Sequence, residues 1–253
     1  MVRAAPSQFS RAAGSLSFEG IARFDVTAGR LIRVRPHIDV STDAIVHYLL
    51  GPVIGLALHQ RHVLTLHASA VASSAGAILF AGESQWGKST MAARFMLSGV
   101  RPLTDDIAAV SPDEGSHAVA AGPPWLRIWP EGAQGLGIDA RSLEPIYPGQ
   151  EKRRLPFDMA MPEATPIARI YVLVGADRTE VRDLAPTQAL IAMIRHSFAV
   201  EVLERTESQD WHLEACRALV RAVPIRELHV LADGSAPGSE VVDLVEQDLR
   251  RDS

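Results

Sequence analysis

Gly82-Glu83-Ser84-Gln85-Trp86-Gly87-Lys88-Ser89-Thr90 decides the reading of this chain. The stretch matches G-x-x-x-x-G-K-[ST], and each fixed position has a chemical reason. Glycines let the backbone curl until successive N–H groups point at one anion. A helix that starts at the lysine adds its positive dipole end and its unpaired N–H groups. Lys88 supplies a point charge for the β and γ phosphates of a nucleotide, and Ser89, with Thr90 beside it, offers a hydroxyl to Mg²⁺. Glu83, Ser84, Gln85 and Trp86 form the body of the loop. The context agrees: the apolar run Ala75–Ala81 leads in as a strand, and Lys88–Leu97 leads out as a helix, with Gly99 at its C′ position.

Working outward, Val63–Val71 reads as a second apolar strand, joined to Ala75–Ala81 through Ser73-Ser74. Val100–Thr104 and Ile107–Val110 read as short strands, with Asp105-Asp106 between them. Upstream, Ser15–Arg35 alternates as a hairpin or small meander, and residues before it should fray. Ser41 or Thr42 caps a helix running to His59, with Gly51-Pro52 as a candidate break. Downstream, Ser111–Thr165 is rich in Pro and Gly and reads as a long irregular stretch, whose Trp125, Trp129 and Tyr147 argue against disorder. Ile167–Val174 and Thr179–Leu184 read as a hairpin around Gly175-Ala176-Asp177. Helices over Thr187–Phe198 and Asp210–Val223, a strand over Ile225–Leu231 and a helix over Ser239–Arg250 complete an α/β chain. The division expected is a small N-terminal β element over 1–40 and a P-loop domain over 41–253.

Composition bounds the function. Of 253 residues, 47% are hydrophobic and 22% charged, as in an ordinary globular protein. A net charge of -5 argues against a nucleic-acid partner, which calls for a basic face. The single cysteine, Cys216, cannot form an internal disulfide and sits in an apolar helical pattern, so it reads as a core residue in a reducing compartment. Residues Met1–Ala13 carry no apolar signal region, and Tyr48–Leu58 is too short to span a bilayer; a cytoplasmic protein without a membrane partner is expected. The chain has no asparagine, so the N-K-x-D base-reading element of nucleotide switches cannot exist here, and no D-x-x-G occurs.

Asp105-Asp106 follows Lys88 by seventeen residues. A carboxylate at a strand end beside such a loop is the usual partner of Mg²⁺, and a second can accept a hydroxyl proton. Both can face the phosphates only if the chain turns or bulges there, because neighbours on a strand point to opposite faces. His67, one polar residue in an apolar strand, is placed to orient or tune an aspartate. Arg127, between Leu126 and Ile128, and the run Lys152-Arg153 are candidates for spreading charge off a transferring phosphoryl group.

Leu66-His67-Ala68-Ser69-Ala70-Val71, Gly82–Thr90 and Leu103-Thr104-Asp105-Asp106 together resemble the kinase core of the HPr serine kinase family. The nearer likeness is to stand-alone HPr-kinase-like proteins of bacterial peptide-modification clusters, among them the lasso peptide kinases. The match covers Leu49–Val110 and continues more weakly through Pro123–Pro130 and Lys152-Arg153. It implies a fold shared with phosphoenolpyruvate carboxykinases, with ATP and Mg²⁺ as cofactors. It further implies that His67 pairs with the acidic residues, that Asp105 is the base and that Asp106 lies near the metal. The acceptor it implies is a serine hydroxyl of a peptide or small protein, such as a ribosomal precursor peptide. A small-molecule kinase, a kinase of an HPr-like protein or a nucleotide-binding regulatory module are the alternatives, and self-association is left open. The chain lacks the long N-terminal domain of true HPr kinases, and Trp129-Pro130-Glu131-Gly132 is a loose stand-in for their second glycine-rich signature.

Overall fold

A computed structural model of the chain describes residues 5–7, 12–113, 115–158, 164–198, 208–232 and 236–251. Four antiparallel strands come first: β1 (Ala5–Ser7), β2 (Ala13–Phe18), β3 (Ala22–Thr27) and β4 (Leu31–Pro36), paired in that order. Leu16, Phe18, Phe24 and Val26 alternate onto the buried face. Ser15, Arg23 and Asp25 hydrogen-bond to one another on the other. Of the stretch expected to fray, residues 1–4 and 8–11 lie outside the described residues, whereas Ala5–Ser7 is strand.

Two short helices, α1 (Thr42–Tyr48) and α2 (Ile54–Gln60), and the turn between them close the buried face of this sheet through Tyr48, Val53, Leu56 and Ala57. The Ser41 hydroxyl caps α1, accepting from Ala44 N at 3.2 Å. Between the helices Leu49–Val53 forms a π-helical turn, with Gly51 at φ -110° and ψ -112°. Pro52 has no N–H to give to the ladder, so the ladder widens there. Thr42–Gln60 is, among the described residues, the one helical run that is long and apolar enough to cross a membrane by length and composition.

The main sheet has nine strands. One arm runs β8 (Arg101–Thr104), β6 (Ala68–Ser73), β7 (Gly76–Ala81), β13 (Ala164–Ala176), β15 (Ile225–Leu231) and β14 (Glu180–Asp183). A second arm, β5 (Leu64–Leu66), β9 (Ala108–Asp113) and β10 (Ser116–Ala120), joins at the start of β13. β13 runs parallel to β7 and β15, and the other pairings are antiparallel, so the sheet is mixed.

β7 explains the layering. Ala77, Leu79 and Ala81 enter one buried cluster, and Ile78 and Phe80 enter another. A central strand covered on both faces reads as an unbroken apolar run. The first cluster is covered by α5 (Pro186–Arg195) and α6 (Gln209–Ala222), where Cys216 is fully buried as expected. The second is covered by α3 (Lys88–Leu97) and α7 (Glu240–Arg250). The class is therefore α/β, as the order of elements predicts.

Three details differ from the sequence reading. Val63–Val71 is two strands, because the chain changes arms at His67: β5 pairs with β9, and β6 pairs with β7 and β8. The Ile167–Leu184 segment is not a hairpin, because β15 inserts between its halves, parallel to β13 and antiparallel to β14. Buried apolar side chains drive that insertion: Ile225 and Leu228 bring β15 into the core, a gain that local turn chemistry cannot signal. Finally, Ser111–Thr165 is more regular than expected. It completes β9 and holds β10, the two-stranded pair β11 (Trp125–Ile128) and β12 (Arg153–Pro156), and the short helix α4 (Pro130–Gly135). Residues 114 and 159–163 lie outside the described residues.

Candidate active site

The loop from Gly82 to Gly87 joins the C-terminal end of β7 to the N-terminus of α3. Its backbone takes positive φ at Gly82 (156°), Gln85 (71°) and Gly87 (78°). Gly87 is the N-cap of α3, and its carbonyl accepts from Met91 N at 2.7 Å. Gln85 has a Cβ and still adopts this conformation, a local strain of the kind found at ligand clamps. Lys88 is buried, and its Nζ donates to Gly82 O at 2.9 Å and to Glu83 O at 2.8 Å. Burial pulls its ammonium below the usual lysine range, while Asp106 and Asp105 push the other way. The lysine thus lies across the loop, tied to its carbonyls.

The chain does turn between the two carboxylates. Asp106 has φ 74°, and Asp105 and Asp106 lie between β8 and β9. This lets both side chains stay on the loop side. Asp105 is buried and accepts from three donor groups. Ser69 Oγ lies 2.6 Å away, Arg127 N 2.7 Å, and Ser89 Oγ contacts both carboxylate oxygens, at 2.9 and 3.1 Å. Asp106 makes different contacts. Its Oδ1 meets His67 Nε2 at 3.2 Å and its Oδ2 meets Arg127 Nη1 at 2.5 Å. Burial pushes the Asp106 carboxyl up, but the Arg127 guanidinium, His67 and Lys152 outweigh it and hold the carboxyl well below the usual carboxylate range.

His67 reaches Asp106 because it sits at the break between β5 and β6, where its N–H leaves the sheet and donates to His196 O at 2.7 Å. Arg127 reaches it because strand alternation sends Leu126 and Ile128 into the core and Arg127 the other way. The register of β11 with β12 separates the basic run. Arg154 pairs with Arg127, and Arg153 pairs with Ile128. Lys152, one residue before Arg153, returns to the Arg127 side, with Nζ 5.4 Å from the centre of the Trp129 ring. Arg153 makes no contact with either carboxylate, so the structure brings together His67, Lys88, Ser89, Asp105, Asp106, Arg127 and Lys152 and leaves Arg153 out.

Three participants were not singled out from sequence. Ser69, fully buried, fixes one oxygen of Asp105. Gly51 passes close to the Asp106–Arg127 pair, so that a Cβ there would lie 3.8 Å from Asp106 Oδ2 and 3.9 Å from Arg127 Nη1. His47, at the end of α1, has a buried Nδ1 without a hydrogen-bond partner. Burial, and then Arg127, pushes the His47 imidazole down to about 4. Ser69 stands in a quoted motif as an ordinary small residue, and His47 lies far from the loop in sequence. Neither carried a local signal.

Neither a protein-family model nor a curated protein matches the chain. Among solved structures it is similar to the HPr(Ser) kinase/phosphatase from Coxiella burnetii, with a TM-score of 0.38 and 9% sequence identity over 74% of this chain and 97% of that one. A likeness at that level says nothing about chemistry, and the functional reading rests on the site itself.

Proposed function

We propose that the chain is an ATP- and Mg²⁺-dependent kinase that transfers the γ-phosphoryl group to a serine hydroxyl of a peptide or small protein, with a ribosomal precursor peptide as the leading acceptor. One observation carries this reading: a glycine-rich loop on a strand-to-helix junction has two carboxylates beside it with separate sets of partners. A structural ion-pair cluster would not need the lysine, the serine hydroxyl and both carboxylates to converge on an anion-binding loop.

The residues fit Mg²⁺. Ser89 Oγ and the Asp105 carboxylate form a hard oxygen pair next to the loop. Among the described residues no three His, Cys, Asp or Glu side chains gather as a metal cage, which suits an ion that takes its other ligands from phosphate and water. When bound, Mg²⁺ would neutralise charge on the β and γ phosphates. The hydrogen bonding supports the reverse of the order implied by resemblance: Asp105 serves the metal side with Ser89, and Asp106 serves the acceptor side. Asp106, kept ionised by Arg127 and His67, accepts the proton of the incoming hydroxyl, while His67 and Arg127 fix its orientation. Lys88 leaves the loop carbonyls for the phosphates, and Lys152 adds positive charge on the acceptor side.

The test is mass spectrometry of a serine-containing precursor peptide incubated with the protein, ATP and Mg²⁺. One added phosphate on serine is expected, absent when that serine is alanine. Release of free phosphate with every candidate peptide unmodified would turn the reading to an ATPase or regulatory switch. Efficient phosphorylation of a small metabolite would retain the kinase and discard the peptide.

A further inference from the structure

The N-terminal sheet takes no part in the chemistry above, and its charge sets it apart. Residues 1–40 carry six arginines against Glu19, Asp25 and Asp39, in a chain whose net charge is -5. Arg23, Arg30, Arg33 and Arg35 lie on β3, on β4 or in the turn between them. On the outward face Arg23 stands directly opposite Arg35, and Arg33 opposite Asp25. Asp25 serves Arg23 at 3.0 Å and Arg35 at 3.1 Å. Arg30 and Arg33 have no ion-pair partner among the described residues. Like charges directly opposite on a sheet destabilise it. This face therefore holds an excess of positive charge that the fold does not neutralise.

β4 is also a free edge: among the described strands it pairs with β3 alone. His37 N donates to Ile21 O at 2.8 Å, which continues the β3–β4 register and sets its phase. Odd-numbered residues of β4 thus bond to β3, and the N–H and C=O groups of Ile32 and Val34 point away from it. Pro36 ends this run because it has no N–H to offer. The edge is held firmly from behind. Gly29 N donates to Gln60 Oε1 of α2 at 2.7 Å, and the side chains of Ile32 and Val34 pack on the cluster of Phe24 and Leu56. Leu31 and Ile38, 54% and 92% exposed, flank it with apolar surface. Charges and a proline on an edge bar a second copy of the same strand, since like charges would meet. The same arginines favour a strand of opposite charge.

We infer that β4 docks an extended acidic segment of a partner polypeptide as a fifth strand of this sheet. The segment's backbone pairs with Ile32 and Val34, and its carboxylates lie beside Arg33 and Arg35. Strand addition of this kind takes its affinity from main-chain hydrogen bonds and its selectivity from alternate side chains. The site uses no residue of the phosphate loop or the acidic pair, so it stands or falls apart from the kinase reading.

The experiment is fluorescence anisotropy with a labelled heptapeptide of alternating glutamate and valine. Two controls accompany it: the same peptide with lysine for glutamate, and the glutamate peptide with alternate backbone nitrogens methylated. The parent should bind the glutamate peptide at least about tenfold more tightly than either control. Arg33→Glu should lose about tenfold of that affinity and Arg33→Lys should keep most of it. Arg141→Glu, which makes the same change of net charge at an exposed site elsewhere, should bind as the parent does. Equal binding of the glutamate and lysine peptides, no loss on methylation, or an equal loss in Arg141→Glu would overturn the proposal. So would absence of peptide binding together with sedimentation on phosphatidylglycerol vesicles, which would assign the arginines to a membrane surface.

Discussion

Ser89 Oγ lies 2.9 and 3.1 Å from the two carboxylate oxygens of Asp105. The residue after the loop lysine and the first member of the acidic pair are thus one unit, although sixteen residues separate them. Asp106, next in the chain, turns away to His67 and Arg127. Adjacent carboxylates with unlike partners are expected to fail in different ways.

Lys88→Ala should remove the charge that faces the β and γ phosphates and leave the fold intact. Calorimetry of ATP–Mg²⁺ binding should show a loss of at least tenfold, about 1.4 kcal/mol. Parent-like affinity in this variant would show that the loop does not hold the nucleotide phosphates.

Asp105→Asn and Asp106→Asn should separate metal from acceptor. Asp106→Asn should lower kcat by about 10² with ATP binding retained, the scale of a lost general base. Asp105→Asn should raise the Mg²⁺ concentration needed for half-maximal rate. The opposite pattern, with the metal requirement moving in Asp106→Asn, would restore the order implied by family resemblance.

Arg127→Gln should change the pH profile and not only the rate. In the parent, Arg127, His67 and Lys152 overcome the effect of burial and keep Asp106 ionised far into acid. Without the guanidinium, burial gains weight and the Asp106 carboxyl rises. The acid limb of kcat/KM should therefore move to higher pH in Arg127→Gln. An unmoved limb would detach Asp106 from the rate.

His196 should make the fold sensitive to mild acid. Its imidazole is buried, and burial pushes it down to about 4 from the usual 6.5. Below about pH 6.5 the unfolded chain takes up a proton that the folded chain refuses, so stability falls as pH drops from 6.5 toward 4 and then levels off. Denaturant unfolding across that window should show a loss on the order of 1–3 kcal/mol, and His196→Gln should flatten it. His47, also at about 4, contributes in the same direction.

Legibility followed the range of the interactions. The loop, the helix behind it and the apolar strand before it were readable because a handful of consecutive residues specify them. The covered strand β7 advertised itself as an unbroken apolar run. The supposed hairpin at Gly175 was misread because β15, some fifty residues later, enters between the two strands, and no turn signal records that competition. The supposed irregular stretch holds β11 and β12, whose pairing joins Arg127 to Arg154 across the chain.

The sequence by itself determined that a strand, a glycine loop and a helix would follow one another with Lys88 at the helix start, because those properties are local to Gly76–Leu97. It also set the identities of Asp105 and Asp106 and the need for a turn if both were to serve one site. Only the tertiary structure decided which partner each carboxylate has. Ser69, Ser89 and the Arg127 backbone meet Asp105, and His67 and the Arg127 side chain meet Asp106, because β6, α3, β11 and the β5–β6 break converge there. The basic run shows the same division. Lys152 and Arg153 are equal candidates as neighbours in sequence, and strand alternation in the β11–β12 pair sends Lys152 to the site side and Arg153 to the side of Ile128.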